Sequence, residues 1–316
     1  MKKLILLATL LVTALALMSF AAACGGGEEA TTTTAAAGWD INTIVAGIEA
    51  DSTIAADLPD KYRTDGIKVA SDIPYPPWEM YVGETDQVTG FDYDLGQALG
   101  AVLGVKLEFV ETVFDNCIPS LLSGKNDIIM SGMYDNLFRR NDVDFVDYAW
   151  DGTSMLVLTG NPEGIVALDS LAGKTVGCER GTTQAVLLEN LNEQFKSEGK
   201  EEMTINQYDA QPDALTALQS GKTVCDLTDN STAAYIAQTT QGGSLFEVVT
   251  DPANPHGYTP QIDGIGVLKE NTQLRDALQQ ALQVLIDNGT YQKIIEHYGL
   301  LPVTSAEINQ GTDPGE

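Results

Sequence analysis

Strand-like and helix-like runs alternate along most of this chain, and the alternation is completed twice. A short helical prefix is expected over residues 39–62, ending near Leu58-Pro59, and a strand over 67–70. Residues 71–78 read as a loop, because Pro74, Pro76 and Pro77 forbid regular structure. From Asp94 on, Leu95, Leu99, Val102 and Leu103 fall at i, i+4, i+7 and i+8, one face of a helix that Gly104 stops. Val105, Leu107 and Phe109 alternate as in a strand, 115–123 is a short helix stopped by Gly124, and 128–130 is a strand. The pattern restarts after Asp151-Gly152, with strands at 175–179, 204–208 and 224–228 and helices at 185–195 and 212–220. A strand at 265–268 then precedes a helix striped by Leu274, Leu278, Leu282 and Leu285 and a further helix at 291–298. This order predicts βαβ units with largely parallel sheets. At 316 residues the chain is too long for one ordinary core and suits two α/β lobes closed by a C-terminal helix pair.

The first 23 residues read as a signal peptide: Lys2 and Lys3, an apolar run over 4–20, then Ala21-Ala22-Ala23. Cys24-Gly25-Gly26-Gly27 resembles a bacterial lipoprotein cleavage site, at which Cys24 would become the first mature residue and carry acyl chains. Ala21 stands where that motif usually has leucine, so an ordinary secretory cut after the alanines is also open. Residues 24–38, rich in Thr and Ala beyond the glycines, read as a flexible tether. The folded part is then expected outside the cytoplasm, held at the outer face of the cytoplasmic membrane, or secreted or periplasmic if Cys24 carries no lipid. Export permits disulfides, and Cys178 and Cys225 lie on runs that can be neighbouring strands, so a bridge and two free thiols both stay open, with Cys117 unpaired. A net charge of −28 argues against nucleic acid, whose phosphates need clustered Lys and Arg. No Cys/His cluster has metal-ligand spacing, and neither metal nor cofactor is expected.

Two features look built to hold a carboxylate. Arg139 closes the stretch that begins Ser131-Gly132-Met133, just beyond the strand at 128–130. The turn Gly181-Thr182-Thr183-Gln184 follows the strand at 175–179 and opens a helix. A helix start offers free N–H groups and a positive dipole end, and an arginine offers a planar fork. Placed on separate α/β units, they predict a cleft that closes over a zwitterion.

Residues 67–78, Gly90-Phe91-Asp92-Tyr93-Asp94-Leu95, Ser123-Gly124-Lys125, residues 142–145 and 173–184, Asp287-Asn288-Gly289-Thr290-Tyr291 and Tyr298-Gly299 together resemble the bacterial extracellular solute-binding proteins of family 3. These are the polar amino-acid receptors of ABC importers, and the likeness runs over residues 58–301. The resemblance implies a two-lobed periplasmic-binding-protein fold (type II), with a ligand cleft between lobes joined by two crossing strands. Residues 39–65 would form an N-terminal extension, 66–151 plus 263–301 lobe one, 152–262 lobe two and 302–316 a C-terminal tail. It implies a monomer that captures a polar L-amino acid, with a basic one as an option, by hinge closure and delivers it to ABC permease subunits.

The roles the resemblance implies are as follows. Arg139 grips the ligand α-carboxylate, helped by Ser131, Gly132, Thr182 and Thr183, with Met133 in the same stretch, while Arg140 looks like a surface residue. Tyr134 stands where the family usually has Ser or Thr, and either reaches the ligand or fills part of the pocket. Asp229, on a strand-end loop, pairs with the α-ammonium. Tyr75 stacks over the ligand from the loop that also carries Asp72 and Trp78, and a core position is equally open for Trp78. Asp72 and Glu179 stand at side-chain-pocket positions and favour a cationic ligand end. Gln184 touches the ligand or only the neighbouring chain. Two other readings remain: a ligand-presenting sensor component, and a dehydratase-type enzyme of the same fold. The enzyme is not expected, since Glu179 has no partner base or nucleophile.

Overall fold

A computed structural model describes residues 39–312, and Cys24 and the leader lie outside them. Three short helices lead in, α1 (Ile41–Val45), α2 (Ser52–Asp57) and α3 (Asp60–Asp65). The first unit follows: β1 (Ile67–Ser71), the hairpin β2 (Met80–Tyr81) and β3 (Val88–Thr89), α4 (Phe91–Leu103), β4 (Leu107–Glu111), α5 (Cys117–Leu122) and β5 (Ile128–Ile129). The long strand β6 (Val143–Leu158) crosses to the second unit, made of β7 (Thr175–Glu179), α6 (Thr183–Ser197), β8 (Thr204–Tyr208), α7 (Gln211–Gln219), β9 (Cys225–Asp229), α8 (Asn230–Thr239) and β10 (Phe246–Val248). β11 (Tyr258–Leu268) crosses back, and α9 (Thr272–Asp287), α10 (Thr290–Tyr298) and β12 (Leu301–Pro302) complete the first unit.

The strand order β4-β1-β5-β11-β6-β9-β7-β8 explains the two lobes. β4, β1 and β5 are parallel in lobe one, and β9, β7 and β8 are parallel in lobe two. Each set is edged by one long antiparallel strand, β11 against β5 and β6 against β9. β6 and β11 pair with each other from Val143 opposite Leu268 to Thr153 opposite Tyr258. The lobes have separate cores. In lobe one, Leu95 and Leu99 of α4 meet Leu278, Leu282 and Leu285 of α9 over β1. In lobe two, Leu188 and Phe195 of α6 cover Val176 and Leu227. The leucine stripe read from the sequence is the buried face of α9.

Several elements differ from expectation for physical reasons. The prefix is three helices, broken where Leu58 is extended before Pro59, and not one. Helix α4 starts at Phe91, before the apolar stripe begins, with Asp92 and Asp94 in its first turn, where the helix dipole favours acids. Helix α8 was not anticipated, since it buries only Thr232, Ala233 and Ile236 and shows no apolar stripe. Asp229 therefore stands at the strand end, as expected, but leads straight into α8 at its N-cap position with no loop between. β6 is almost wholly buried along its length and so shows no alternation. β7 and β9 are neighbours, but Cys178 faces Leu227 and Cys225 faces Val176. That offset is about 6.6 Å along the ladder and about 4.8 Å across it, beyond disulfide reach, and all three described cysteines are free.

Both ends of the described chain pack on lobe one. Trp39 stacks on His297 with ring centroids 3.9 Å apart and donates from Nε1 to Asp94 Oδ2 at 2.8 Å. Beyond β12, which pairs with β6, the chain stays docked: the Phe145 N–H donates to Asn309 Oδ1 at 2.8 Å. Arg140, expected at the surface, is instead partly buried, ion-paired with Asp135 and donating to the Gly311 carbonyl at 2.6 Å. Among the described residues no helix is long and apolar enough to cross a membrane.

Where β6 and β11 cross, Gly152 and Gly257 lie backbone to backbone, and a Cβ on Gly152 would sit 2.3 Å from the His256 carbonyl oxygen. Gly152→Ala is expected to cost about 1–3 kcal/mol and lower the melting temperature. Gly47→Ala, whose added methyl meets only ordinary contacts, should stay within about 0.5 kcal/mol of wild type in the same melts.

Candidate ligand-binding site

Parallel strands bring their carboxyl ends to one edge of a sheet, and ligands of α/β proteins bind beyond that edge. Here the two half-sheets aim those ends at a common gap. β1 leads into Asp72 and Tyr75, β5 into Gly132 and Tyr134, β7 ends at Glu179, and β9 ends at Asp229. Tyr75, Phe114, Gly132, Tyr134, Arg139, Glu179, Thr182, Thr183, Gln184 and Asp229 line a narrow cavity of about 10 Å³. The lobes meet across it. The Tyr75 hydroxyl donates to Asp229 Oδ2 at 2.8 Å and lies 2.9 Å from Thr228 Oγ1. Arg139 Nη2 donates to the Gly181 carbonyl at 3.1 Å, and burial together with the Asp72 carboxyl pushes Glu179 well above the usual carboxylate range.

Arg139 is buried, with Nη1 donating to the Tyr134 carbonyl at 2.7 Å and its guanidinium 5.3 Å from the Phe114 ring centre. Burial pulls it down to about 10, so it remains charged at neutral pH, facing Asp229 and Asp263. Across the gap, Thr182 is the N-cap of α6: its hydroxyl accepts from the Ala185 N–H at 3.3 Å and donates to the Glu179 carbonyl at 2.7 Å. The first turn of a helix of 15 residues thus opens on the cavity, with N–H donors available to an anion. Asp229 accepts from Gln184 Nε2 at 2.6 Å and from the Tyr75 hydroxyl at 2.8 Å. Gln184 therefore holds the acid, as well as lining the space. The Tyr134 hydroxyl donates to the Gly152 carbonyl at 3.2 Å, so its ring fills the floor between Arg139 and the crossing strands.

Three expected contacts lie behind the wall. Trp78 is fully buried in lobe one, edge-on to Phe91 at 5.8 Å and to Tyr148 at 6.3 Å. It supports the cavity from beneath Gly132, whose φ is +50° and whose Cβ would lie 3.1 Å from the indole. The Ser131 hydroxyl is engaged by Glu79 Oε1 at 2.6 Å and by the Asp72 N–H at 2.9 Å. Met133 packs with Phe114, Leu121 and Phe145 in a core cluster. Phe114 was missed. It is a lone aromatic in a polar turn just past the end of β4, with no periodic partner, and that placement is the signal that was available.

A family model for bacterial extracellular solute-binding proteins, family 3, matches residues 67–300. The chain belongs to that family. The arginine-binding protein ArgT of Corynebacterium glutamicum is 30% identical over 251 residues, 78% of this chain and 79% of its own. Among solved structures, the ancestral amino acid-binding protein AncCDT-1, a precursor of cyclohexadienyl dehydratase, matches with a TM-score of 0.65 at 30% identity, over 78% of this chain and 99% of that one. An ancestral arginine-binding protein bound to arginine matches with a TM-score of 0.63 at 32% identity, over 73% and 97%.

This family 3 protein buries an unusual number of acids around its cleft and crossing strands. Loss of hydration pushes Asp229 up to about 6, Asp92 and Asp151 to about 7, and Asp147 and Asp226 to about 8. Each carboxyl then holds its proton more tightly folded than unfolded, where the value is near 3.8. Their stabilisation is complete below the unfolded value and is lost as pH rises through the folded values. The melting temperature is expected to fall between about pH 5 and about pH 9. Gln211 Nε2 donates to Asp226 Oδ2 at 2.6 Å, a bond that asparagine can also accept, so Asp226→Asn should flatten part of that fall.

Proposed function

We propose that this protein captures a basic L-amino acid outside the cytoplasm and delivers it to an ABC permease, with arginine as the leading candidate. The observation that carries the basic assignment is a pair of buried acids: Glu179 lines the cavity from lobe two, and Asp72, from lobe one, acts on it from behind the lining. A ligand lying across the cleft would set its α-carboxylate toward Arg139 and the first turn of α6. Its α-ammonium would lie toward Asp229 and its cationic end toward the acid pair. The arginine-binding relatives support the same reading. Contacts present only when both lobes touch the ligand favour the closed form, which is the form an importer must distinguish.

No catalytic turnover is part of this reading. One related structure is a precursor of a dehydratase, and the other relatives named above are binding proteins. The receptor is read as a monomer, divided near residues 151–152 and 262–263, with Cys24 as its lipid anchor and 24–38 as the tether.

Arg139→Ala is expected to weaken L-arginine binding by about 2–5 kcal/mol in titration calorimetry, the scale for removing one partner of a buried charge pair. A loss below about tenfold in Kd would remove Arg139 from the carboxylate site. Cys24→Ser should shift the protein from the membrane fraction to the soluble one on cell fractionation, and an unchanged distribution would rule out the lipid anchor.

A further inference from the structure

The family match ends at residue 300, and the chain beyond it stays on lobe one. Residues 307–309 run beside the start of β6. The Asp147 N–H donates to the Glu307 carbonyl at 3.0 Å, the Asn309 N–H donates to the Phe145 carbonyl at 3.1 Å, and Ile308 bridges Val146. Gln310 and Gly311 then aim successive N–H groups at two buried acids, at 2.8 Å from Asp147 Oδ2 and 2.7 Å from Asp135 Oδ2. The Gly311 carbonyl accepts from Arg140 Nη2 at 2.6 Å, and Arg140 closes the triangle through its ion pair with Asp135. This approach needs glycine, since a Cβ on Gly311 would lie 2.0 Å from the Asp135 carbonyl oxygen.

The clip matters because of what flanks Asp135. The Tyr134 carbonyl holds Arg139 Nη1 at 2.7 Å, and Asn136 Oδ1 holds the Arg139 N–H at 2.8 Å. The guanidinium is thus tied to the residue before Asp135, and its backbone to the residue after. The crossing strand β11 holds Asp135 by its backbone, with the Asp135 N–H donating to the Ile262 carbonyl at 2.8 Å. Asp135 is therefore pinned between the hinge and the C-terminal segment, and a shift there moves both anchors of Arg139. A buried acid that loses its donors must find others, which drives such a shift.

We propose that residues 307–311 are a positioning element of the ligand site: the Gly311 clip on Asp135 and Arg140 fixes the loop that presents Arg139 to the ligand carboxylate. The proposal rests on the carboxylate role given to Arg139 above. Asp135, Arg140 and Gly311 act through Arg139. A guanidinium fork matches a carboxylate only in a narrow geometry, so a loosened loop weakens carboxylate recognition first. Asp229, in lobe two, keeps its own donors.

Two measurements test this on two variants, one lacking residues 307–316 and one carrying Gly311→Ala. The truncation decides where it melts cooperatively, and Gly311→Ala decides where it does not. Hydrogen exchange of the ligand-free protein reads the loop directly. Amides of residues 131–142 should exchange at least about tenfold faster than in wild type, while those of α6 keep wild-type rates. Unchanged exchange over 131–142, or a rise shared by both lobes, would overturn the clip. Calorimetry then compares L-arginine with L-argininamide, which lacks the carboxylate charge. The wild-type preference for arginine should shrink by about tenfold in the variant. An equal loss for both ligands, or a preference that does not move, would sink the positioning role. A wild-type protein with no preference would remove Arg139 from the carboxylate site, while the exchange result would still decide whether the clip orders the loop.

Discussion

The pairing of β6 with β11 is the constraint on which the rest of this molecule depends. These two antiparallel strands are at once the edge of both half-sheets and the covalent path between them. Because each serves two sheets, its backbone groups find partners on both sides and its side chains are covered on both faces. Register shifts interrupt the pair between Tyr258 and Gln261 and between Asp263 and Gly264, at the crossing itself. Bulges of this kind bend a strand and re-aim its side chains. They let two sheets face each other end-on, and the end-on arrangement makes a cavity.

The second constraint is electrostatic. A cleft built from strand ends collects the side chains that strand ends carry, and here those are mostly acids. Asp72, Glu179, Asp229, Asp151 and Asp263 are all buried, and the one guanidinium that lines the cavity, Arg139, is acted on by Asp229 and Asp263. Hydrogen bonds answer part of the imbalance: two neutral donors, Tyr75 and Gln184, hold Asp229, and the Gly152 and Ser231 N–H groups hold Asp151. Neither oxygen of Asp263 has a hydrogen-bond partner. A site with this balance accepts positive charge readily and resists a second anion beyond the one Arg139 and α6 can hold.

Much of this was legible from residue order. The stripe Leu274, Leu278, Leu282 and Leu285 identified α9 because one face of that helix is buried and the other is not. The bounds of β7 and β8 were readable because polar turns flank short β-prone runs. β6 was not, since a strand buried on both faces has no period, and its Asp144, Asp147 and Asp151 look like loop residues until their partners are seen. Arg139, Thr182, Thr183 and Asp229 were placed at the cleft by family likeness joined to the chemistry of helix starts and guanidinium forks. Phe114 was missed and Trp78 was left open between core and cavity for one reason: which aromatic faces a core and which a cavity is decided by tertiary packing.

The Trp39–His297 stack and the Arg140 hold on Gly311 fasten both ends of the described chain to the same lobe. Lobe two is thus an excursion from lobe one, entered along β6 and left along β11. A reporter fused at either end would ride on one body and stay blind to the hinge. Following the motion optically needs a second probe on the excursion, for example at exposed Val186 of α6, outside the loop of chain that both termini share.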